Sequence, residues 1–143
     1  MDYKQISTEI YNDVLAGENL GSLPSYIPEL ASVSKDKFGV FFFGLKEESF
    51  GIGDYQEKFS IQSIAKVLSM SLAYRELGAD IWNRVNVEPS GTSFNSLVQL
   101  ETDAGIPRNP LINAGAIVVC DILLSLFNDA PERFLNFVRH LAN

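Results

Sequence analysis

Phe41, Phe42 and Phe43 stand side by side in the stretch FGVFFFGL, residues 38–45. Successive side chains of a strand point to opposite faces, so three rings in a row place aromatic bulk on both sides of a sheet. A strand of this kind asks for cover above and below. After the polar Lys46, Glu47 and Glu48, a second short run, SFGIG at 49–53, completes the pattern of a β-hairpin. A hairpin alone is only marginally stable in water, and no other segment reads as a strand. The remaining strands are therefore expected from outside this sequence, and the chain is expected to be incomplete. With helices over most of the rest, the expected class is α+β, mainly helical.

At 143 residues the chain has room for one core of ordinary size, so one domain or part of one is expected. Its 46% apolar and 20% charged residues are those of a globular protein. A formal net charge of -7, with no basic run, argues against nucleic acid as a partner. Cys120 is the only cysteine, which excludes an intrachain disulfide and a thiolate zinc site, and its apolar surroundings predict a buried thiol. His140, the only histidine, sits near the C-terminus, so serine chemistry here needs a base other than the imidazole of a Ser-His-Asp triad. Residues 1–11 lack a signal-peptide pattern and no stretch reaches the length of a membrane span, so a cytoplasmic location with no membrane partner is expected.

Tyr3, Ile6, Ile10 and Val14 recur at helical spacing, with Asp2 before them and Gly17 after, which predicts an amphipathic helix over 2–16 packed through that stripe. Residues 17–34 form an ordered loop in which Tyr26, between Pro24 and Pro28, is held in place; an aromatic anchor with a wet hydroxyl is the plain structural reading of that tyrosine. A helix over 61–77 carries Ile61, Ile64, Leu68 and Leu72 on one face and stops at Gly78. A short helix over 79–85, with Trp82 filling the core, and another around Phe94, Leu97, Val98 and Leu100 follow it. The loop IPRNPLIN, 106–113, is stiffened by two prolines. Beyond it, residues 114–127 are apolar nearly all round, which predicts a buried helix with Asn113 placed to cap it. A final amphipathic helix from Pro131 carries Phe134, Phe137, Val138 and Leu141.

The chemistry-bearing motif is FSIQSIAKV, 59–67. Ser63 and Lys66 lie one helical turn apart, on one face, as a candidate nucleophile and base. With Ser60 as the expected cap, Ser63 falls in the first turn, where unpaired N–H groups and the helix dipole favour a developing oxyanion. The base must be neutral to accept a proton, and the apolar Ile61, Ile64, Ala65, Val67 and Leu68 are expected to desolvate it. The spacing alone is weak, because Ser-x-x-Lys also occurs at Ser32 with Lys35 and at Ser34 with Lys37, in a polar turn-like segment.

Four segments in order, SYIPEL, FSIQSIAKV, EPSGTSFNSL and NPLINAGAIVV, resemble the serine-dependent glutaminases, relatives of the β-lactamases and penicillin-binding proteins. The resemblance runs from the first helix to about Leu126, and NPLINAGAI is its most specific part. It implies a partial β-lactamase/transpeptidase-like fold, comprising the N-terminal helix, a hairpin of the sheet and part of the helical subdomain. Residues 1–143 would be the N-terminal portion of a single domain whose C-terminal half is absent. By resemblance, Ser63 is the nucleophile, Lys66 its general base and Tyr26 a second proton-transfer group. Gln62 lines the pocket, and Asn113 hydrogen-bonds the bound substrate, a role that competes with capping.

The implied reaction is hydrolysis of the side-chain amide of L-glutamine to L-glutamate and ammonia through a glutamyl-serine ester, with no metal and no cofactor. Within the same superfamily the alternative is a β-lactamase or peptidase; S-D-N and K-T-G do not occur in this chain. A non-catalytic folded fragment is the alternative of a different kind. Unpaired strand edges also predict a homo-oligomer.

Overall fold

The computed structural model describes residues 1–45, 48–93 and 96–142, so the polar turn at Lys46 and Glu47 and the apolar anchor at Phe94 lie outside the described residues. Two compact units divide the chain, residues 1–59 and 60–143.

In the first unit, α1 (Tyr3–Ala16) starts where Asp2 accepts a hydrogen bond from the Gln5 N–H (2.9 Å) and ends at Gly17, as the sequence pattern predicts. β1 (Gly39–Phe43) and β2 (Ser49–Gly53) pair antiparallel with Phe42 opposite Phe50. The helix meets the hairpin through aromatic stacking, Tyr3 on Phe42 (5.0 Å between ring centres) and Tyr11 on Phe38 (5.0 Å). That contact differs from the expected stripe: Ile6, Ile10 and Val14 stay exposed, because the rings of the hairpin recruit the tyrosines. Gly53, at φ +64, leaves room for the Tyr11 ring and the Phe38 carbonyl, both of which an added Cβ would strike. Only one face of the hairpin is covered by α1. Phe41 and Phe43 remain 57% and 71% exposed, so the double cover that three phenylalanines call for is not completed by this chain. A four-residue helix, α2 (Pro28–Ala31), follows the loop carrying Tyr26.

The second unit contains the core. α3 (Ile64–Leu77) stops at Gly78, whose φ of +57 needs a glycine, and a 3₁₀ turn (Gly78–Asn83) continues from it. α4 (Leu97–Thr102), α5 (Asn113–Leu126) and α6 (Ala130–Leu141) complete it. Leu72 and Ala73 of α3, Ile81 and Val85, Val119, Ile122 and Leu123 of α5, and Ala130 interlock, with Trp82, Phe127, Phe134 and Phe137 around them. Each fully buried large side chain here contributes roughly 1.5–3 kcal/mol.

The buried face of α3 is Ser69, Leu72 and Ala73, the small Ser69 and Ala73 letting α5 approach; of the expected Ile61, Ile64, Leu68 and Leu72, only Leu72 is fully buried. Ile61 and Ile64 are exposed, as is Val67. α5, expected to be buried all round, covers only its Gly115, Val119, Ile122 and Leu123 side; Ile117 and Leu124 are 69% and 63% exposed. Cys120 is exposed on the same open side, which corrects the expectation of a buried thiol. Among the described residues no single helix is long and apolar enough to cross a membrane.

Candidate active site

The helix carrying Ser63 and Lys66 opens differently from the sequence expectation. Ser60 does not cap it; the Ser60 hydroxyl instead accepts from the Gln62 side-chain amide (2.8 Å), and Ser63 itself is the boundary residue. The opening turn is tight, with the N–H groups of Ile64, Ala65 and Lys66 donating to the carbonyls of Ile61, Gln62 and Ser63 at 3.0–3.1 Å. Those three N–H groups are therefore taken. No backbone carbonyl among the described residues accepts from the Ser63 N–H, which leaves it as the donor at the positive end of the helix. The Ser63 side chain makes no capping hydrogen bond and is exposed, so its hydroxyl is not committed to holding the helix.

Gln62 turns the chain into that boundary with φ at +45, a left-handed conformation that costs a non-glycine residue about 1–2 kcal/mol. The strain sits immediately before the nucleophile candidate. Replacing Gln62 by glycine should give a protein about 1 kcal/mol more stable than replacing it by alanine, because only glycine adopts this φ without strain. Urea unfolding of the two variants measures the difference, and equal midpoints would mean that Gln62 is not strained.

Lys66 lies against the start of α5. Its Nζ donates to the Leu111 carbonyl (3.0 Å) and to Oδ1 of Asn113 (2.6 Å). Asn113 is the first residue of α5, with Ile112 at the cap position, so it is not the cap. Asn109 does the turn-closing work instead: its Oδ1 accepts from the N–H groups of Leu111 (3.0 Å) and Ile112 (3.1 Å). Of the two roles open to Asn113 from the sequence, capping is removed, and its carboxamide is turned toward the lysine. With Oδ1 occupied by Lys66, Nδ2 is the side of the amide that offers hydrogen to a ligand oxygen.

Gly115 makes the closeness possible. A Cβ there would strike the Asn109 carbonyl oxygen and come within 2.8–2.9 Å of Asn109 C and Pro110 Cα. Elsewhere Gln99, buried, accepts from Ser90 (2.7 Å) and Thr92 and donates to the Ser90 carbonyl, pinning the EPSGT segment to α4. Arg108 forms a two-pronged pair with Asp103 (2.8 and 3.1 Å); these hydrogen bonds and the carboxylate charge push the guanidinium pKa further up.

Tyr26 belongs to the first unit, in a turn closed by the Ile27 N–H on the Pro24 carbonyl (3.1 Å), and is 84% exposed. The two other Ser-x-x-Lys matches are engaged elsewhere: the Ser32 hydroxyl donates to the Glu29 carbonyl (3.2 Å), the Ser34 hydroxyl accepts from the Asp36 N–H (3.3 Å) and Lys37 pairs with Glu57 (2.7 Å). Asn109 and Gly115 were not singled out by sequence reasoning. The signal was present in Asn109-Pro110, a turn-initiating dipeptide, but which N–H groups the asparagine would hold was not legible. Among the described residues no three His, Cys, Asp or Glu side chains cluster as metal ligands.

A family model described as Glutaminase matches residues 21–143. The chain belongs to the glutaminase family. It is 56% identical over 139 residues to a glutaminase of Saccharophagus degradans, covering 97% of this chain and 45% of the relative. Among solved structures, the probable glutaminase ybaS superposes with a TM-score of 0.84 at 27% identity, over 96% of this chain and 46% of that one. Mglu in its tris and glutamate form gives 0.67 at 35% identity, over 78% of this chain and 25% of that one. The glutaminase-family chain thus has the partial β-lactamase-like α+β fold expected of it. It spans about half the length of the relatives it matches.

Proposed function

We propose that residues 1–143 are the N-terminal portion of one serine-dependent glutaminase domain, and that the whole domain hydrolyses the side-chain amide of L-glutamine to L-glutamate and ammonia. The observation that carries this reading is the contact of Lys66 Nζ with Asn113 Oδ1, which joins the proposed base to the proposed substrate-binding amide across 47 residues of sequence. A neighbouring fold solved in a glutamate form agrees with the substrate class.

In this reading Ser63 Oγ attacks the side-chain amide carbon while its proton passes to neutral Lys66. The Ser63 N–H supports the oxyanion, a donor of a kind worth roughly 3 kcal/mol. The tetrahedral adduct collapses, the C–N bond breaks, and the nitrogen leaves as ammonia with the proton that Lys66 returns. Water then attacks the glutamyl ester and gives its proton back toward Ser63, releasing L-glutamate. Tyr26 serves as the second proton-transfer group, Gln62 lines the pocket and Asn113 Nδ2 donates to a substrate oxygen. The reading includes a cytoplasmic enzyme, in keeping with one exposed free thiol, and a homo-oligomer, in keeping with the open aromatic face at Phe41 and Phe43.

The test joins the chain to the second half of the Saccharophagus degradans relative and follows ammonia release from L-glutamine, with nitrocefin as the control for the β-lactamase alternative. Glutamine turnover without nitrocefin cleavage is the expected outcome; the reverse would overturn the reading. The 143-residue chain alone should release ammonia at background rate. Ile61, Ile64 and Val67, expected to close over the motif, are exposed, so this chain does not by itself wall off the site from water. Turnover at enzymatic rates by the isolated chain would contradict that account.

A further inference from the structure

We propose that Asn109 is the positioning residue for the Lys66 amine, a role that takes its catalytic meaning from the glutaminase reading but its geometry from this chain alone. The link is a single peptide unit. In a planar trans peptide the C=O and the following N–H point in opposite directions. The Leu111 carbonyl and the Ile112 N–H belong to the same unit: the N–H donates to Asn109 Oδ1 (3.1 Å), and the carbonyl accepts from Lys66 Nζ (3.0 Å). Asn109 and Lys66 thus hold opposite ends of one rigid plate. Turning the plate away from Asn109 turns its oxygen away from the lysine.

Asn109 is itself fixed on three sides. Its Oδ1 also accepts from the Leu111 N–H (3.0 Å), and its Nδ2 donates to the Glu88 carbonyl (2.8 Å). The Glu88 segment is tied to the same loop by Glu88 N–H on the Arg108 carbonyl (2.7 Å) and Asn86 N–H on the Pro107 carbonyl (2.8 Å). Its backbone carbonyl rests against Gly115, so the start of α5 backs it from behind. Two acceptors of Lys66, the Leu111 carbonyl and Asn113 Oδ1, lie within four residues after Asn109 and move with this turn. The side chain of Asn109 is hydrogen-bonded to Leu111, Ile112 and Glu88, and it acts on the lysine through the plate.

The two functions of the side chain can be separated. Asn109→Asp keeps an oxygen for the two N–H groups and loses the donor to Glu88, whereas Asn109→Ala loses both. The readout is the solvent-exchange rate of the Lys66 Nζ protons, followed by NMR in the 143-residue chain with labelled lysine, alongside thermal unfolding. In Asn109→Ala the Lys66 protons should exchange about tenfold faster, the scale of one lost hydrogen bond to an amine. In Asn109→Asp they should stay near the parent rate, although the melting temperature falls. An exchange rate unchanged in folded Asn109→Ala, or altered equally by both variants, would overturn the proposal and leave Asn109 a structural residue. Should Asn109→Ala fail to fold, Asn109→Ser, which keeps one acceptor, must still exchange faster than Asn109→Asp. The readout involves no turnover, so it stands or falls apart from the glutaminase reading.

Discussion

Ser63→Ala, in the chain joined to the second half of the Saccharophagus degradans relative, should abolish glutamine hydrolysis, with a loss of about a million-fold, the scale seen when an acyl-transfer serine is removed. The fold should not register the change. Ser63 is exposed, its hydroxyl makes no capping bond, and the opening turn is held by the carbonyls of Ile61, Gln62 and Ser63, all of which an alanine preserves. Stability should therefore stay within about 0.5 kcal/mol of the parent. A steady-state ammonia assay and an unfolding curve on the same preparation separate the two effects. Activity near the parent value would remove Ser63 from the mechanism; lost activity together with lost structure would make the serine a folding residue.

Gly115→Ala should be the most damaging single methyl group in the chain. The new Cβ meets the Asn109 carbonyl oxygen, Asn109 C and Pro110 Cα, all of them backbone, with no flexible side chain to give way. Pro110 cannot swing aside easily, because its ring fixes its own φ and restricts Asn109 before it. The strain must go into moving α5 off the 109–113 turn. Overpacking of this kind costs about 1–3 kcal/mol or more, and here it also withdraws Asn113 and the Leu111 carbonyl from Lys66. Urea unfolding of the 143-residue chain should show the loss, and NMR should show the Lys66 Nζ protons exchanging faster than in the parent. An alanine variant as stable as the parent would mean that the helix and the turn are not in close contact.

The helix ends were legible because their chemistry is local. Asp2 reaches the Gln5 N–H three residues on, and Gly78 takes the positive φ that ends α3. Which side of a helix is buried was legible only where the pattern was one-sided. In α3 periodicity placed Leu72 on the core face but wrongly put Ile64 there with it, and in α5, where apolar residues stand all round, it could not tell that Val119 faces the core while Ile117 and Cys120 face out. The α1 stripe failed for a different reason: stacking on Phe42 and Phe38 selected Tyr3 and Tyr11 over the aliphatic residues. At the site, the pairing of Lys66 with Asn113 depends on a 47-residue loop closure that no spacing rule reports; the resemblance named both residues for one site, as base and as substrate contact, but not their hydrogen bond to each other. Ser60 and Ser63 are equally good caps by residue type; the left-handed turn at Gln62, which no local preference predicts, puts Ser63 and not Ser60 at the cap position, without a side-chain capping bond.

Labelling with a glutamine-analogue diazo ketone, followed by peptide mass spectrometry, is the most direct test of the proposed convergence on Ser63. The reagent carries the amino acid end of glutamine and an electrophilic carbon where the amide stands. In the joined protein a single adduct on the Ser63 peptide is expected, suppressed by excess L-glutamate and absent from Ser63→Ala. A label carried by Cys120 or another residue while Ser63 stays unmodified and hydrolysis is lost, or full activity after exposure to the reagent, would contradict it.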